Sequence, residues 1–203
     1  MKLPTKEECL NLLEEHKVDG VLLRHIMQVN KIAVFIANKF KKQGIEINVD
    51  LIDRASLLHD ILKTIDLSKD DEKIKKDPIF FKDLREKFKE LKHEKAASVL
   101  LKEKGYEEVG KLIEFHGFIG FKELDTWEKR ILNYADSRVK WDQIVMLKER
   151  FEDLAQRYGP HNVEGYDKKA NKEHHDILFK IEKEIFSHLD FKPEDLKEVI
   201  EKK

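Results

Sequence analysis

The 203-residue chain reads as an all-α protein on three observations. Gly and Pro are scarce, at 8 and 4, so there is little turn chemistry to punctuate short strands. Alternating apolar and polar runs of the strand type are nearly absent. Apolar residues instead recur at intervals of three and four, the period of a helix buried along one face.

The elements follow in order. Thr5, with Glu8 three residues on, forms a capping-box pattern that opens a short helix through Leu10, Leu12 and Leu13. A second helix spans roughly Val18 to Gln43, with Leu22, Ile26, Val29, Ala33, Ile36 and Phe40 on its apolar face and Gly44 as its stop. A third starts near Asn48 or Asp50 and carries Leu51, Ile52, Ala55 and Leu58, then His59 and Asp60. From Asp66 to about Asp83 charges crowd together and Pro78 interrupts, which reads as a connection anchored by Ile79, Phe80 and Phe81. Residues 66–92 are read either as a lid over a site or as a surface loop. One helix carrying His93 runs to Gly105, and another carrying His116 stops at Gly117. Thr126 caps a helix holding Ile131, Leu132, Tyr134, Ala135, Asp136 and Val139, which is expected to continue to the break at Gly159-Pro160. After a polar loop from His161 to Asp167, a helix covers roughly Ala170 to His188, and Pro193 opens a last short one. The expected organisation is a single all-α domain over 1–203, with a core at about 18–140 and the helices of 141–203 packed on it.

Composition narrows the function classes. Hydrophobic residues make up 40%, enough for a packed interior, and charged residues another 40%. The charges cancel, 40 Lys+Arg against 41 Asp+Glu, which argues against nucleic-acid and membrane partners. Enrichment in both signs of charge resembles a thermophile's composition. The lone Cys9 cannot form an internal disulfide, the N-terminus shows no apolar signal region, and no apolar stretch is expected to approach a bilayer span. A soluble, cytoplasmic protein is expected; self-association into a homo-oligomer is left open.

The strongest chemical signal is His59-Asp60, which follows the apolar run Ala55-Ser56-Leu57-Leu58. An ionised Asp60 there is costly without a counter-charge, and Asp136 poses the same problem after Tyr134-Ala135. His25, His93 and His116 stand on neighbouring helices, so a shared cation answers both acids. Mixed imidazole and carboxylate ligands suit iron, manganese, zinc, nickel or cobalt. Six candidates exceed the four of a closed structural zinc site and suffice for one or two ions with open positions. The chemistry that follows is metal-assisted hydrolysis.

The order His25, His59-Asp60, Asp136 resembles the HD-domain superfamily of metal-dependent phosphohydrolases, and His59-Asp60-Ile61-Leu62-Lys63 is similar to its His-Asp-x-x-Lys stretch. The resemblance covers about Val18 to Val139, and His93 and His116 look like the additional ligands of dinuclear members. It implies an HD-type helical bundle with additional C-terminal helices. It implies that His25, His59, Asp60 and Asp136 hold one metal, and that Asp60 bridges to a second held by His93 and His116. An activated water would attack phosphorus. Asp60 and Lys63 would then be catalytic, and Lys63, with Arg138 and Arg24, would meet the substrate phosphate. The substrate implied is a small phosphate ester or anhydride of a nucleotide or dinucleotide. Leu62 stands where the cyclic-dinucleotide branch has glycine, and Gly165-Tyr166-Asp167 lies outside the matched region, which counts against a cyclic dinucleotide. Asn133-Tyr134-Ala135-Asp136 looks nearer to the diadenosine tetraphosphatase branch. The alternatives are a non-catalytic sensor that binds metal or nucleotide, and an interaction protein with structural histidines.

The remaining candidates read as structural. His174 and His175 are adjacent on a helix and so point about 100° apart, which disfavours joint ligation. His16, His161 and His188 read as surface or loop residues, and Phe115 and Phe118 as core rather than base-stacking platforms.

Overall fold

The computed structural model describes residues 1–158 and 167–202. The expected break at Gly159-Pro160, the polar loop from His161 and Gly165-Tyr166 lie outside the described residues. α1 (Lys6–Glu15) opens on the Thr5 capping box with both reciprocal bonds made. α2 (Gly20–Lys42) is the central helix, and Ile26, Val29, Ile32, Ala33, Ile36, Ala37 and Phe40 along it are all fully buried. Gly44 ends the run in the left-handed region at φ 78°, where a side chain would be strained. α3 (Val49–Leu58) is capped by Asn48, whose side chain accepts from the Leu51 N–H, and it packs along α2. Asn30 Nδ2 joins the two helices by donating to the Asp53 carbonyl, Asp53 Oδ1 and Ser56 Oγ at 2.9–3.0 Å.

The charged connection is more ordered than its composition suggests. It forms α4 (Glu72–Lys76) and α5 (Pro78–Lys87), capped by Asp71 and Asp77. Ile74, Phe81, Leu84 and Phe88 bury into the core, while Ile79, expected as an anchor, is exposed. α6 (His93–Glu103) and α7 (Glu107–Ile113) form a tight pair. At Gly110 a Cβ would come within 2.8 Å of the Ser98 carbonyl oxygen, so the close approach requires glycine. α8 (Trp127–Ser137) starts at Thr126, whose hydroxyl accepts from the Lys129 N–H, and it crosses α2 and α3.

The expected continuation of α8 to residue 158 does not occur. A hairpin of β1 (Val139–Lys140) and β2 (Gln143–Ile144) intervenes before α9 (Leu147–Tyr158). The chain reverses at Trp141, which takes a left-handed φ of 57°, and Val139 and Ile144 turn inward as a pair. α10 (Lys168–Phe186), capped by Asp167, packs on α8. A 3₁₀ turn (Pro193–Asp195) and α11 (Leu196–Glu201) close the chain. Among the described residues the architecture is an all-α bundle with one two-stranded hairpin.

By length and composition α2 reaches what a bilayer crossing needs, contrary to the expectation that no stretch comes near it. The reason lies in its packing: its apolar stripe meets α3 and α8 as the core helix of the bundle.

Arg138 ties the C-terminal helices to the bundle. Its Nη1 donates to Glu182 Oε2 at 3.1 Å and to the Tyr134 hydroxyl, its Nε to the Val145 carbonyl at 2.6 Å and its Nη2 to the Pro193 carbonyl at 2.9 Å. Tyr134 in turn donates to Glu182 Oε2 at 2.8 Å. Removing one partner of a buried ion pair leaves the other charge uncompensated. Glu182→Ala is expected to lower stability by about 3 kcal/mol. Urea unfolding reads this as a fall in midpoint with an unchanged slope.

Candidate metal centre

The six predicted ligands converge, but most of them lie at helix ends rather than within helices. His25 is inside α2, and Asp136 is in the last turn of α8. His59 caps the C-terminus of α3, and Asp60 sits in the turn that follows. His93 is the first residue of α6, and His116 lies three residues past α7. The expectation of a helical seat for each is corrected. A helix end leaves backbone carbonyls without internal partners, and those carbonyls can orient a ring.

The groups form two triads that share Asp60, and in each the candidate ligand atoms lie within 4.8 Å of one another. In the first, His25 Nε2 is 3.9 Å and His59 Nε2 3.8 Å from Asp60 Oδ2. Asp136 joins them: its Oδ1 is 2.9 Å from His25 Nε2 and 3.7 Å from His59 Nε2. In the second, His93 Nε2 and His116 Nε2 lie 3.1 and 3.4 Å from Asp60 Oδ1. Asp60 thus turns one oxygen to each cluster.

Every one of the four rings is anchored through Nδ1. His25 Nδ1 bonds the Trp141 carbonyl at 2.9 Å, His59 Nδ1 the Ser56 carbonyl at 2.8 Å and His116 Nδ1 the Ile113 carbonyl at 2.6 Å. His93 Nδ1 bonds Asp66 Oδ2 at 2.6 Å. Carbonyl and carboxylate oxygens only accept, so each Nδ1 carries the hydrogen and each Nε2 faces the acids. This is the outer-shell arrangement that fixes the tautomer of a metal-ligating histidine. The hairpin explains the first anchor, because its turn at Trp141 presents that carbonyl to His25.

Neutral imidazoles so oriented aim lone pairs at carboxylate oxygens, which is repulsive unless a proton or a cation stands between them. His59 Nε2 and Asp60 Oδ1 are buried and make no directed hydrogen bond among the described residues. The donor set therefore fits a divalent transition ion. Burial would raise the Asp60 carboxyl, but Lys63 and His59 outweigh it and hold the group well below the usual carboxylate range. Burial acts likewise on Asp136, and His25 and His59 hold it well below that range. Burial lowers His93, while the Asp60 carboxylate 3.1 Å from its Nε2 and its bond to Asp66 lift it to about 9. Below that pH a proton sits on Nε2 facing Asp60. Above it, Nε2 is free to accept from Lys63 Nζ, 3.1 Å away.

A cavity of 460 Å³ opens beside the centre, with Lys63, His93, His116 and Asp136 among its lining residues. Lys63 starts a 3₁₀ turn (Lys63–Asp66) and places its ammonium 3.8 Å from Asp60 Oδ1, with its side chain 38% exposed. The other two phosphate candidates fall elsewhere. Arg138 is 1% exposed, with its guanidinium committed to the α8–α10 knot, so it is corrected from a substrate contact to a structural residue. Arg24 pairs with Asp142 at 2.7 Å and does not line the cavity, because the position before His25 faces another way round α2. No residue of 66–92 is among the described residues that line it.

Three residues of the site were missed in the sequence. Asp66 orients His93 from within the segment read as a connection. Asn133, one turn before Asp136, donates to the His116 carbonyl at 2.8 Å and pins that loop. Glu94 lies against Gly117, where a Cβ would collide with its carboxylate. The available signal was the second nitrogen of each histidine, which needs an acceptor.

Residues 22–139 match the model of the HD domain, and the chain belongs to that family. It is also similar to a tRNA (cytidine(56)-2'-O)-methyltransferase from Picrophilus torridus, at 24% identity over 196 residues. That match covers 89% of this chain and 45% of the relative, so the chain spans less than half of that protein's length. No solved structure matches.

Two outcomes follow for the centre. Asp66→Asn should weaken metal binding roughly 10–100-fold in calorimetry without unfolding the protein. Because His93 is protonated below about 9, loading an ion near pH 7 should release protons, and the number released should fall as the pH passes 9. Titration in buffers of different ionisation enthalpy measures that number.

Proposed function

We propose that the protein is a divalent-metal-dependent phosphohydrolase that cleaves a phosphate ester or anhydride of a nucleotide or dinucleotide. The observation that carries this reading is the ring of four Nδ1-anchored imidazoles whose Nε2 atoms surround Asp60 and Asp136 at one end of a cavity. Membership of the HD-domain family supports it.

His25, His59, Asp60 and Asp136 would hold one ion, and Asp60, His93 and His116 a second. A divalent ion supplies Lewis acidity there, lowering the pKa of water and polarising a phosphoryl oxygen. The remaining work falls to the protein's own groups. Asp60 serves both triads, so its two oxygens set their separation. Asp66 keeps the His93 hydrogen on Nδ1, leaving Nε2 as a ligand. Lys63 carries a positive charge to the cavity wall, and burial opposed by Asp60 and Asp136 leaves its ammonium more firmly protonated than usual. It would neutralise a substrate phosphate and orient it towards the acids.

The purified protein is expected to retain a transition ion near stoichiometry and to release phosphate or nucleotide from a panel of nucleotides and dinucleoside polyphosphates. Asp60→Ala should lose both the ion and the activity. Full turnover in that variant overturns the assignment. Ligand binding without turnover by any panel member points instead to a sensor.

A further inference from the structure

The family match ends at residue 139, yet part of the cavity wall is built from beyond it. α9 contributes Arg150, Phe151 and Leu154, and α10 contributes Asn171, His174 and His175. This wall differs in chemistry from the metal end. Phe118, expected in the core, is 40% exposed and lines the cavity. Its ring meets His174 edge-on at 5.3 Å and 89°, and Phe121 packs on the same imidazole at 5.2 Å. Phe151 stacks flat on His175 at 3.7 Å. The rings hold one another in place, so Phe118 is presented to the cavity by a supported scaffold.

Two polar atoms in the same wall lack a hydrogen-bond partner among the described residues. His174 is 8% exposed, and its Nε2 has no hydrogen-bond partner among the described residues. Arg150 Nε is likewise buried without one. A buried polar atom left unpaired carries a desolvation cost that a ligand can relieve. Burial pushes the His174 imidazole down to about 4, so near neutral pH the ring is uncharged, with one donor and one acceptor nitrogen. Aromatic surface beside a neutral hydrogen-bonding edge suits a heterocycle better than a phosphate or a sugar. The 460 Å³ volume lies within the range of sites for small organic ligands, roughly 300–1,000 Å³.

We propose that this wall is a base-binding subsite, in which the heterocyclic base of a nucleotide stacks on Phe118 and hydrogen-bonds to His174 while its phosphate reaches Lys63 and the metal centre. The proposal rests on the phosphohydrolase reading for the phosphate end and on Phe118 with α9 and α10 for the base end. The hydrogen-bonding edge that reads the base, His174, would then lie outside the matched region, while the stacking ring, Phe118, lies within it.

Metal-loaded protein tests this with adenosine 5'-monophosphate and ribose 5-phosphate as probes, by calorimetric binding and by KM and kcat. Adenosine 5'-monophosphate should bind more tightly than ribose 5-phosphate. Phe118→Ala should weaken its binding and raise its KM about tenfold, as expected for the loss of one base–aromatic stack, while leaving kcat and the ribose 5-phosphate values unchanged. His174→Leu should give the same split between the two probes. Equal binding of the two probes by the parent protein, binding of neither, or equal effects of the substitutions on both overturns the subsite. Phe118-dependent binding of adenosine 5'-monophosphate with no hydrolysis of either probe or of any nucleotide or dinucleoside polyphosphate in the panel upholds the subsite and removes the phosphohydrolase reading, so the two failures are distinct.

Discussion

Two carboxylates, Asp60 and Asp136, stand ionised at the meeting point of four imidazoles, each anchored through Nδ1 with its Nε2 turned inward. Lone pairs facing negative oxygens at these separations repel. Protons or cations must occupy the space between. Much of the bundle can be understood as the means of enforcing that unfavourable orientation. The hairpin supplies a carbonyl to His25, the ends of α3 and α7 supply carbonyls to His59 and His116, and the 3₁₀ turn supplies Asp66 to His93.

Helix ends recur at the centre for a physical reason. A mid-helix carbonyl is already engaged by the N–H four residues on, whereas the last turn has acceptors to spare. His59 and His116 both bond the carbonyl three residues earlier, so ligand and anchor come from one short segment. The partial negative charge at these C-termini also favours a cation nearby. The long buried α2 contributes the complementary element, a rigid rod on which His25 is fixed against the ends of its neighbours.

The fold was largely legible because helix spacing and caps are local properties. Thr5, Asn48 and Thr126 cap where their side chains indicated, and Gly44 stops α2 as a left-handed glycine should. The hairpin was not legible, since Val139 and Ile144 continue an apolar pattern that a helix would also show, and the turn depends on a left-handed Trp141 rather than on glycine. The six convergent groups could be picked out because buried acids demand counter-charge. Their anchors could not, because Asp66 and the carbonyls of Ser56, Ile113 and Trp141 carry no mark in composition. Arg138 misled for a related reason: its distance from Asp136 along the chain says nothing about Glu182, 44 residues away, which claims it. Phe118 and His174 looked structural for the same reason, since only the packing of α10 against the 118–121 turn reveals a shared cavity.

X-ray absorption at the edge of an ion loaded into the protein, whether manganese, iron, cobalt, nickel or zinc, tests the central claim most directly. Imidazole ligation through Nε2 with carboxylate oxygens predicts a mixed nitrogen and oxygen first shell together with the outer-shell scattering of histidine rings. An oxygen-only shell without ring scattering, or an ion lost on simple desalting, contradicts it.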